Sequence, residues 1–420
     1  MVSTKDWDWK TSEKRLPLGV WQDHFDWTEE PYVSPDGETI AAIVHLEEGE
    51  FNVCVNGETW ESPFEKLWHL RFTPDGRLCA LASVDGEWTV TIDGQPWENR
   101  FDYVWNPIFS KDGNSIAVAF QQDGEYGMAI NDTPWENRFG NITNPVMSPS
   151  GDQTAATVQI NRLNEGEIFK FEEGAFTSSP NGIPWPRNFM NVWKSVFSPD
   201  GNNLAAEVRL NRYDYTIAVN GEPWPQTFKS VWEPVFHPTR KTVVAPVRQK
   251  SGWTLFENGS PLWKHHFLQL WHQQYSPDGN TVAAIVAPKF GQWTVAVNDQ
   301  PWPITFGEMV TDMVFSPDGR RVAAIAKDNG KWTIVVDGKA WNRTFDRAWP
   351  PVFSPDGRHV AAKVEKKGRY AFAMDGHVWN HNCEAAWSPI FQPNGTSLLL
   401  RTVENRQYFR RIVTIDTFLG

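Results

Sequence analysis

A four-residue turn of the type Ser-Pro-Asp-Gly recurs along the chain at nearly constant spacing. Proline suits the second position of such a turn, aspartate the third, and glycine supplies the positive φ that returns the chain. Successive turns end 37 to 40 residues apart, except for one gap of 50 residues. A period near 40 is typical of proteins that repeat one small β-sheet. The ten turns are Ser34–Gly37, Thr73–Gly76, Ser110–Gly113, Ser148–Gly151, Ser198–Gly201, His237–Arg240, Ser276–Gly279, Ser316–Gly319, Ser354–Gly357 and Gln392–Gly395.

Each repeat contains four short segments of strand character. Strand A ends in the turn, and strand B is an apolar run such as Val322–Ala326, expected to be buried on both faces. Strand C alternates, as in Trp332–Gly338, and ends in the Asn-Gly or Asp-Gly pair of a two-residue hairpin. Strand D follows. The pattern predicts an all-β fold, a single β-propeller of four-stranded blades with about ten repeats.

Aromatic residues recur at fixed offsets after each hairpin, and the chain holds 24 tryptophans in 420 residues. Even spacings place side chains on one face of an extended strand, so we expect the first tryptophan and the phenylalanine on one face of strand D. The second tryptophan joins them unless a bulge or bend intervenes. We interpret them as packing between blades, with a ligand-stacking platform as the alternative. The first tryptophans are Trp60, Trp97, Trp135, Trp185, Trp224, Trp263, Trp302, Trp341 and Trp379, followed by Phe at +4 (Cys383 in the last case) and usually Trp at +8.

The two ends of the chain complement each other. The last repeat supplies only strands A, B and C (391–416), and the segment 18–27 looks like an unpaired strand D. We therefore expect an N-terminal outer strand to close the last blade of a single ring. The predicted organisation is an N-terminal extension over 1–17 and a propeller over 18–420, with an inserted loop or hairpin at about 161–179.

Composition excludes several classes of protein. The net charge of −12 argues against a nucleic-acid or anionic-membrane binder. Three scattered cysteines fit neither a disulfide framework nor a haem or iron–sulfur motif. No run of 18 apolar residues predicts a membrane span, and the first residues lack the apolar core of a secretory signal. We expect a cytoplasmic protein without a cofactor.

No catalytic motif is visible, so the protein is not expected to be an enzyme. The repeated aspartate between Pro and Gly is interpreted as a turn residue rather than an acid catalyst. His377, His381 and Cys383 share one parity, and a regular strand would align them. They are weak metal-ligand candidates, because a zinc site needs further ligands; local repacking of one blade is the alternative.

The loops between strands B and C vary in charge. They are acidic in the first repeats and basic in the later ones, with net charges of −18 over residues 1–210 and +6 over residues 211–420. An oriented docking surface is one interpretation, since charge complementarity fixes register; a merely solvated face is the other. The candidate protein-contact residues are Glu47, Glu48, Glu50, Glu172, Glu173, Arg248, Lys250, Lys327, Lys331, Lys366, Lys367 and Arg369.

The Phe-Ser-Pro-Asp-Gly turn, the apolar strand and the Asp-Gly or Asn-Gly hairpin resemble the repeats of WD40-like propellers of the PD40 type. The Pro-Trp pair with Phe at +4 and Trp at +8 is similar to the tryptophan-rich cytoplasmic subunits of the transmembrane redox complexes of sulfate-reducing bacteria. That resemblance implies a subunit without a redox centre of its own. Its implied partners are an iron–sulfur subunit of the heterodisulfide-reductase kind and a membrane cytochrome b, on the inner face of the cytoplasmic membrane.

Two functions thus follow as hypotheses. The first is a non-catalytic scaffold that docks on the cytoplasmic side of a membrane electron-transfer complex. The alternative is a ligand-binding or hydrolytic propeller that uses its central channel, or a free-standing protein-interaction module.

Overall fold

The computed structural model describes residues 4–47, 49–163 and 166–419, and they form ten antiparallel sheets in chain order. The all-β propeller with ten blades is confirmed; the described helices are short. The blades belong to two compact units. The first holds blades 2 to 6 within residues 60–266, and the second holds blades 7 to 10 within 267–419 and most of blade 1 within 4–47 and 53–59.

The Ser-Pro-Asp-Gly turn joins strands A and B as expected. In blade 8 the Ser316 hydroxyl donates to Asp318 Oδ1 at 2.5 Å, and the Gly319 amide donates to the Ser316 carbonyl. The serine hydroxyl, together with the amide of Arg320, lowers the pKa of the Asp318 carboxyl. Gly319 has φ +70°, and a Cβ there would lie 3.0 Å from Ser276 Cβ in the preceding blade. The aspartate is therefore a turn residue, and the glycine also permits close blade contact.

Strand B is the buried centre of each blade. In blade 8, Ala323 to Ala326 are at most 1% exposed, which confirms burial on both faces. Small and branched apolar side chains suit this position, because each faces a neighbouring blade. The B strands are Ile40–Glu47, Leu78–Val84, Ile116–Gln122, Thr154–Gln159, Leu204–Arg209, Val243–Gln249, Val282–Lys289, Val322–Asp328, Val360–Lys366 and Ser397–Glu404.

Strand C does not alternate as predicted. In blade 8, four successive residues from Thr333 to Val336 are buried, because both faces of the strand pack on other blades. The hairpin that follows is confirmed: Asp337 and Gly338 both have positive φ, and Asp337 Oδ1 accepts the Val322 amide. The C strands are Glu50–Val55, Glu87–Ile92, Glu125–Ile130, Phe176–Pro180, Tyr215–Val219, Gly252–Glu257, Gln292–Val297, Lys331–Val336, Arg369–Met374 and Gln407–Thr414.

Strand A is interrupted in every blade. Blades 2 to 5, 7 and 8 have a register shift, as between Thr311 and Val314 around Asp312 at φ +50°. In the other blades a proline lies at the break, such as Pro234, since proline cannot donate to the ladder. The A strands are Trp27–Thr28 with Tyr32–Val33, Lys66–Phe72, Tyr103–Phe109, Ile142–Met147, Asn191–Phe197, Val235–Phe236, Gln269–Tyr275, Met309–Phe315, Arg347–Ala348 with Val352–Phe353, and Ala385–Ala386 with Ile390–Phe391.

Strand D is mostly only two residues long. Blade 4 has three strands among the described residues, and blade 9 has a longer outer strand. The Phe at +4 lies beyond strand D, where Phe345 exchanges two backbone hydrogen bonds with Trp332. The D strands are Glu58–Thr59, Gln95–Pro96, Thr133–Pro134, Glu222–Pro223, Ser260–Pro261, Gln300–Pro301, Lys339–Ala340, His377–Cys383 and, for blade 10, Glu13–Pro17.

The two tryptophan series therefore have different places, and the second series does not share the strand face of the first. The first tryptophan packs between blades: Trp135 is 7% exposed, and the hairpin Gly182 of the next blade lies against it. The second belongs to strand A of the following blade. There Trp271 packs on Trp293 with ring centroids 4.6 Å apart, whereas Trp68 is 61% exposed.

The N-terminal strand that completes blade 10 is confirmed, but its position was predicted wrongly. Glu13–Pro17 pairs with strand C of blade 10, whereas 18–27 contains a short helix, Gly19–His24 (α1). The apolar residues of that segment mark helix packing: Trp21 and Phe25 are buried against blade 1. The predicted extension 1–17 thus contributes a strand, after a 3-10 turn at Thr4–Asp6.

Buried polar side chains of blade 10 also form hydrogen bonds with the first turn of blade 1. Sequence reasoning missed these residues. Arg401 Nη1 donates to the Ser34 carbonyl at 2.9 Å, and Tyr408 Oη donates to the Gly37 carbonyl at 2.7 Å. Arg410, with a side chain that is fully buried, donates to the Asp36 carbonyl at 3.0 Å. These contacts hold the last blade against the first within the second unit.

The insertion at about 161–179 is neither a simple loop nor a hairpin. It contains helix Ile168–Gly174 (α2), and its last residues belong to strand C of blade 4. A third helix, Ile415–Leu419 (α3), follows blade 10 and contacts strand D of blade 9. No helix among the described residues is long and apolar enough to cross a membrane.

Candidate interaction surface

The turns between strands B and C are fastened by carboxylates from the segment that enters strand A. Asp102 Oδ2 accepts the amide of Asp123 at 2.7 Å, and Asp346 Oδ2 accepts the amide of Lys367 at 2.7 Å. These bonds fix the turn, so the side chains at its tip project from a defined backbone. The predicted contact residues that the structure describes lie in the B–C turns, in helix α2 between strands B and C of blade 4, or at or next to the strand ends beside the turns.

In the first unit, the acidic turns carry apolar side chains as well. Helix α2 presents Phe169, which is 81% exposed, and the next turn presents Tyr213, which is 70% exposed. An ion pair between Glu172 and Arg212 links these two turns. Among the described residues, Glu173 has no ion-pair partner. This part of the first unit combines negative charge with exposed aromatic surface, a composition that suits recognition of another protein.

Two of the basic candidates also lie in the first unit. The change from acidic to basic B–C turns therefore does not coincide with the boundary between the two units. Arg248 is the second-last residue of strand B of blade 6, and Lys250 lies in the following turn. Both side chains are exposed. Glu50 begins strand C of blade 1, Glu47 ends its strand B, and Glu48 lies outside the described residues.

In the second unit, three of the five predicted basic residues are paired locally. Lys327 bonds Glu308 at 2.8 Å, Lys331 bonds Asp346 at 2.5 Å, and Arg369 lies 3.5 Å from Glu384. Lys366 and Lys367 form no ion pair with any described residue. Exposed pairs of this kind contribute little stability, so all five cations remain available to an acidic partner.

The bulge in strand D of blade 9 separates the weak metal candidates. Tyr370 pairs with Cys383 and Phe372 with Trp379, so the regular alternation that would align the three side chains is lost. Cys383 is buried, and burial raises its pKa to about 12. His381 is exposed and stacks on Trp379 at 3.8 Å. Within the described residues, no group of three His, Cys, Asp or Glu side chains is placed to hold a metal ion.

Sequence reasoning missed the charged residues within strand B that lie six residues after the last glycine of the A–B turn. Glu207, Lys363 and Arg401 occupy this position in blades 5, 9 and 10, although the strand is otherwise largely apolar. Burial, followed by the nearby charge of Glu233, raises the pKa of Glu207 to about 8. Burial lowers the pKa of Lys363, whose Nζ lies 4.0 Å from the centroid of the Trp349 ring. A single charge inside an apolar run is the sequence signal that identifies them.

The architecture defines a class, the β-propeller scaffold. No protein-family model matches the chain, and no curated protein matches it. Among solved structures, the chain is similar to a eukaryotic initiation factor, with 12% identity, 77% of this chain and 88% of that chain covered, and a TM-score of 0.48. It is also similar to the Dos1 propeller, with 12% identity, 95% of each chain covered and a TM-score of 0.35.

A puromycin-hydrolyzing peptidase from Mycobacterium tuberculosis is similar at 14% identity, with 86% of this chain covered and a TM-score of 0.36. This chain spans 61% of that peptidase. At these identities and TM-scores, the similarity gives no information about the activity of this chain.

Proposed function

We propose that the protein is a non-catalytic scaffold that binds a partner protein through its B–C turns. The observation that carries the proposal is the surface of these turns. Acidic and aromatic side chains lie together around helix α2 in the first unit, and the turns of blades 8 and 9 in the second unit are basic. By contrast, serine, aspartate and asparagine side chains at the A–B and C–D turns are engaged in hydrogen bonds within the blades.

The partner we propose is a subunit of a membrane electron-transfer complex. The repeated Pro-Trp pair with Phe and a second Trp supports this assignment, through its similarity to the tryptophan-rich subunits of such complexes. The scaffold would then lie on the inner face of the cytoplasmic membrane, against an iron–sulfur subunit and near a membrane cytochrome b. Its role would be to bury and orient partner surface, without a cofactor of its own.

Co-purification from the native host tests both levels of this proposal. The tagged protein is purified from membranes solubilised in mild detergent, and the co-purifying subunits and haem absorption are recorded. Cytochrome and iron–sulfur subunits in fixed stoichiometry are the expected result. If other proteins co-purify in fixed stoichiometry, the scaffold function is supported and the redox-complex partner is refuted. If the protein elutes alone and colourless, both parts of the proposal are refuted.

Charge-reversal variants locate the surface. Lys250→Glu and Lys367→Glu, each in an exposed turn, are expected to reduce the recovery of partner subunits and to make it more sensitive to salt. Arg320→Glu is the matched control, because this arginine is 86% exposed at the opposite end of blade 8. Equal losses in all three variants would contradict docking through the B–C turns.

A further inference from the structure

A cavity of about 470 Å³ lies between blade 8 and blade 9, within the second unit. Its apolar side is formed by Phe345, Val364 and Val378, and Trp379 forms part of the wall. The Trp379 ring stacks on the rings of His381 and Phe418, with ring centroids 3.8 Å and 6.5 Å apart. Cavities of this size hold small organic molecules, and a wall fixed before binding lowers the entropy cost of association.

The cavity coincides with a departure from the repeat. In seven blades an Asn or Thr side chain near the start of strand C donates to a carbonyl of the segment after strand D, as Thr333 does to Arg343 at 3.0 Å. Blade 9 has Ala371 at this position, and Ala371 lines the cavity. The register shift between Tyr370 and Phe372 lies at the same point. The missing side-chain tie and the bulge together alter the outer edge of blade 9 beside the cavity.

The charged groups at the cavity are both cationic. Arg343 and Lys366 line it, and neither forms an ion pair with a described residue. None of the other lining residues is acidic. The nearby Asp346 carboxylate is already bonded to Lys331 Nζ at 2.5 Å and to the Lys367 amide at 2.7 Å. A guanidinium and an ammonium beside an apolar floor select an anion with an apolar body.

We propose that this cavity binds a small organic carboxylate with a flat apolar body. The body packs on the floor formed by Phe345, Val364 and Val378, beside Trp379. The carboxylate meets Arg343 and Lys366. Lys366 is also one of the candidate protein-contact residues, so the cavity borders the proposed docking surface. The binding of a small carboxylate can nevertheless be measured without a partner protein, so this proposal does not rest on the proposed function.

The probe is 4-fluorobenzoate, titrated against the full chain and followed by fluorine NMR relaxation. We expect saturable binding, at least about tenfold tighter than that of 4-fluorobenzyl alcohol, because only the carboxylate forms charge-assisted hydrogen bonds. The double variant Arg343→Gln, Lys366→Gln is expected to weaken benzoate binding about tenfold and to leave alcohol binding unchanged. Both side chains are exposed, so the fold is retained. Lys339→Gln, exposed on strand D of blade 8, is the matched control and is expected to bind as the unmodified protein does.

Three results would overturn the proposal. Equal affinity for the acid and the alcohol would show that the cations do not take part. Competition by inorganic phosphate at the same affinity as benzoate would show that the apolar floor adds nothing. The absence of saturable binding up to 10 mM, or undiminished binding in the double variant, would show that the cavity does not bind such a ligand.

Discussion

The buried arginine that joins blade 10 to blade 1 offers the sharpest test of how this propeller is held together. Arg410 donates to two backbone carbonyls, of Asp36 at 3.0 Å and of Asp8, and pairs with Glu38 at 2.9 Å. Its side chain is fully buried. Removing one member of such a buried network costs about 3–5 kcal/mol, because the acceptors lose their donor without regaining water.

The variant Arg410→Ala translates into a measurable shift of the melting temperature. Unfolding entropy is about 2.1 cal/mol/K per residue, or about 0.9 kcal/mol/K for a chain of this length. A loss of 3–5 kcal/mol therefore lowers Tm by about 3–6 °C, measured by calorimetry or circular dichroism. Arg410→Met is expected to lower Tm less than Arg410→Ala does, since methionine keeps the apolar part of the side chain.

The control is Arg358→Ala, because that arginine is 81% exposed and pairs with Asp356 at 3.6 Å. An exposed pair of this kind contributes at most about 1 kcal/mol, so Tm should change by about 1 °C or less. If the Arg410 and Arg358 variants lowered Tm equally, the buried contacts between the last and first blades would not stabilise the fold, and the reasoning would fail.

Three further outcomes are expected. Trp135→Ala should cost about 3–5 kcal/mol in urea unfolding and Trp68→Ala less than about 1 kcal/mol, because the former is 7% and the latter 61% exposed. The Glu207 carboxyl has a pKa raised by burial to about 8, so the folded state holds its proton where the unfolded state has lost it; stability should fall between pH 4.5 and 8, and Glu207→Gln should flatten that part of a Tm–pH profile. Gly113→Ala should lower Tm more than Gly86→Ala: both have φ near +80°, but the added Cβ meets a backbone atom at 2.5 Å in the first and nothing within 4 Å in the second.

The blades could be predicted because each turn has a local cause. Proline, aspartate and glycine in one turn determine its path, and the asparagine or aspartate of the hairpin both accepts positive φ and bonds strand B, as Asp337 does. The charge carried by the B–C turns could be predicted from composition, since the loops are short. The pairing of Lys327 with Glu308 depends on neighbouring turns and could not be predicted.

The errors in prediction share a physical reason, which is that packing between blades replaces local pattern. Strand C of blade 8 is buried on both faces, so its alternation in sequence has no counterpart in exposure. The second tryptophan belongs to the next blade because strand D has only two residues, as Lys339–Ala340 illustrates. The chain has therefore left strand D before it reaches the tryptophan eight residues later. The segment 18–27 looked extended because helix α1 has only six residues and too few turns for a helical period.

The strand Glu13–Pro17 also constrains the order in which the molecule can be completed during synthesis. Its partners, Gln407 to Arg411, are translated almost 400 residues later. Nine blades can assemble from neighbouring segments as they leave the ribosome, but the tenth cannot. Until then the early strand has exposed backbone groups and the first turn of blade 1 lacks the arginines that bind it. Bringing such distant segments together costs about 5 kcal/mol of chain entropy, and the buried contacts of blade 10 are the interactions available to offset it.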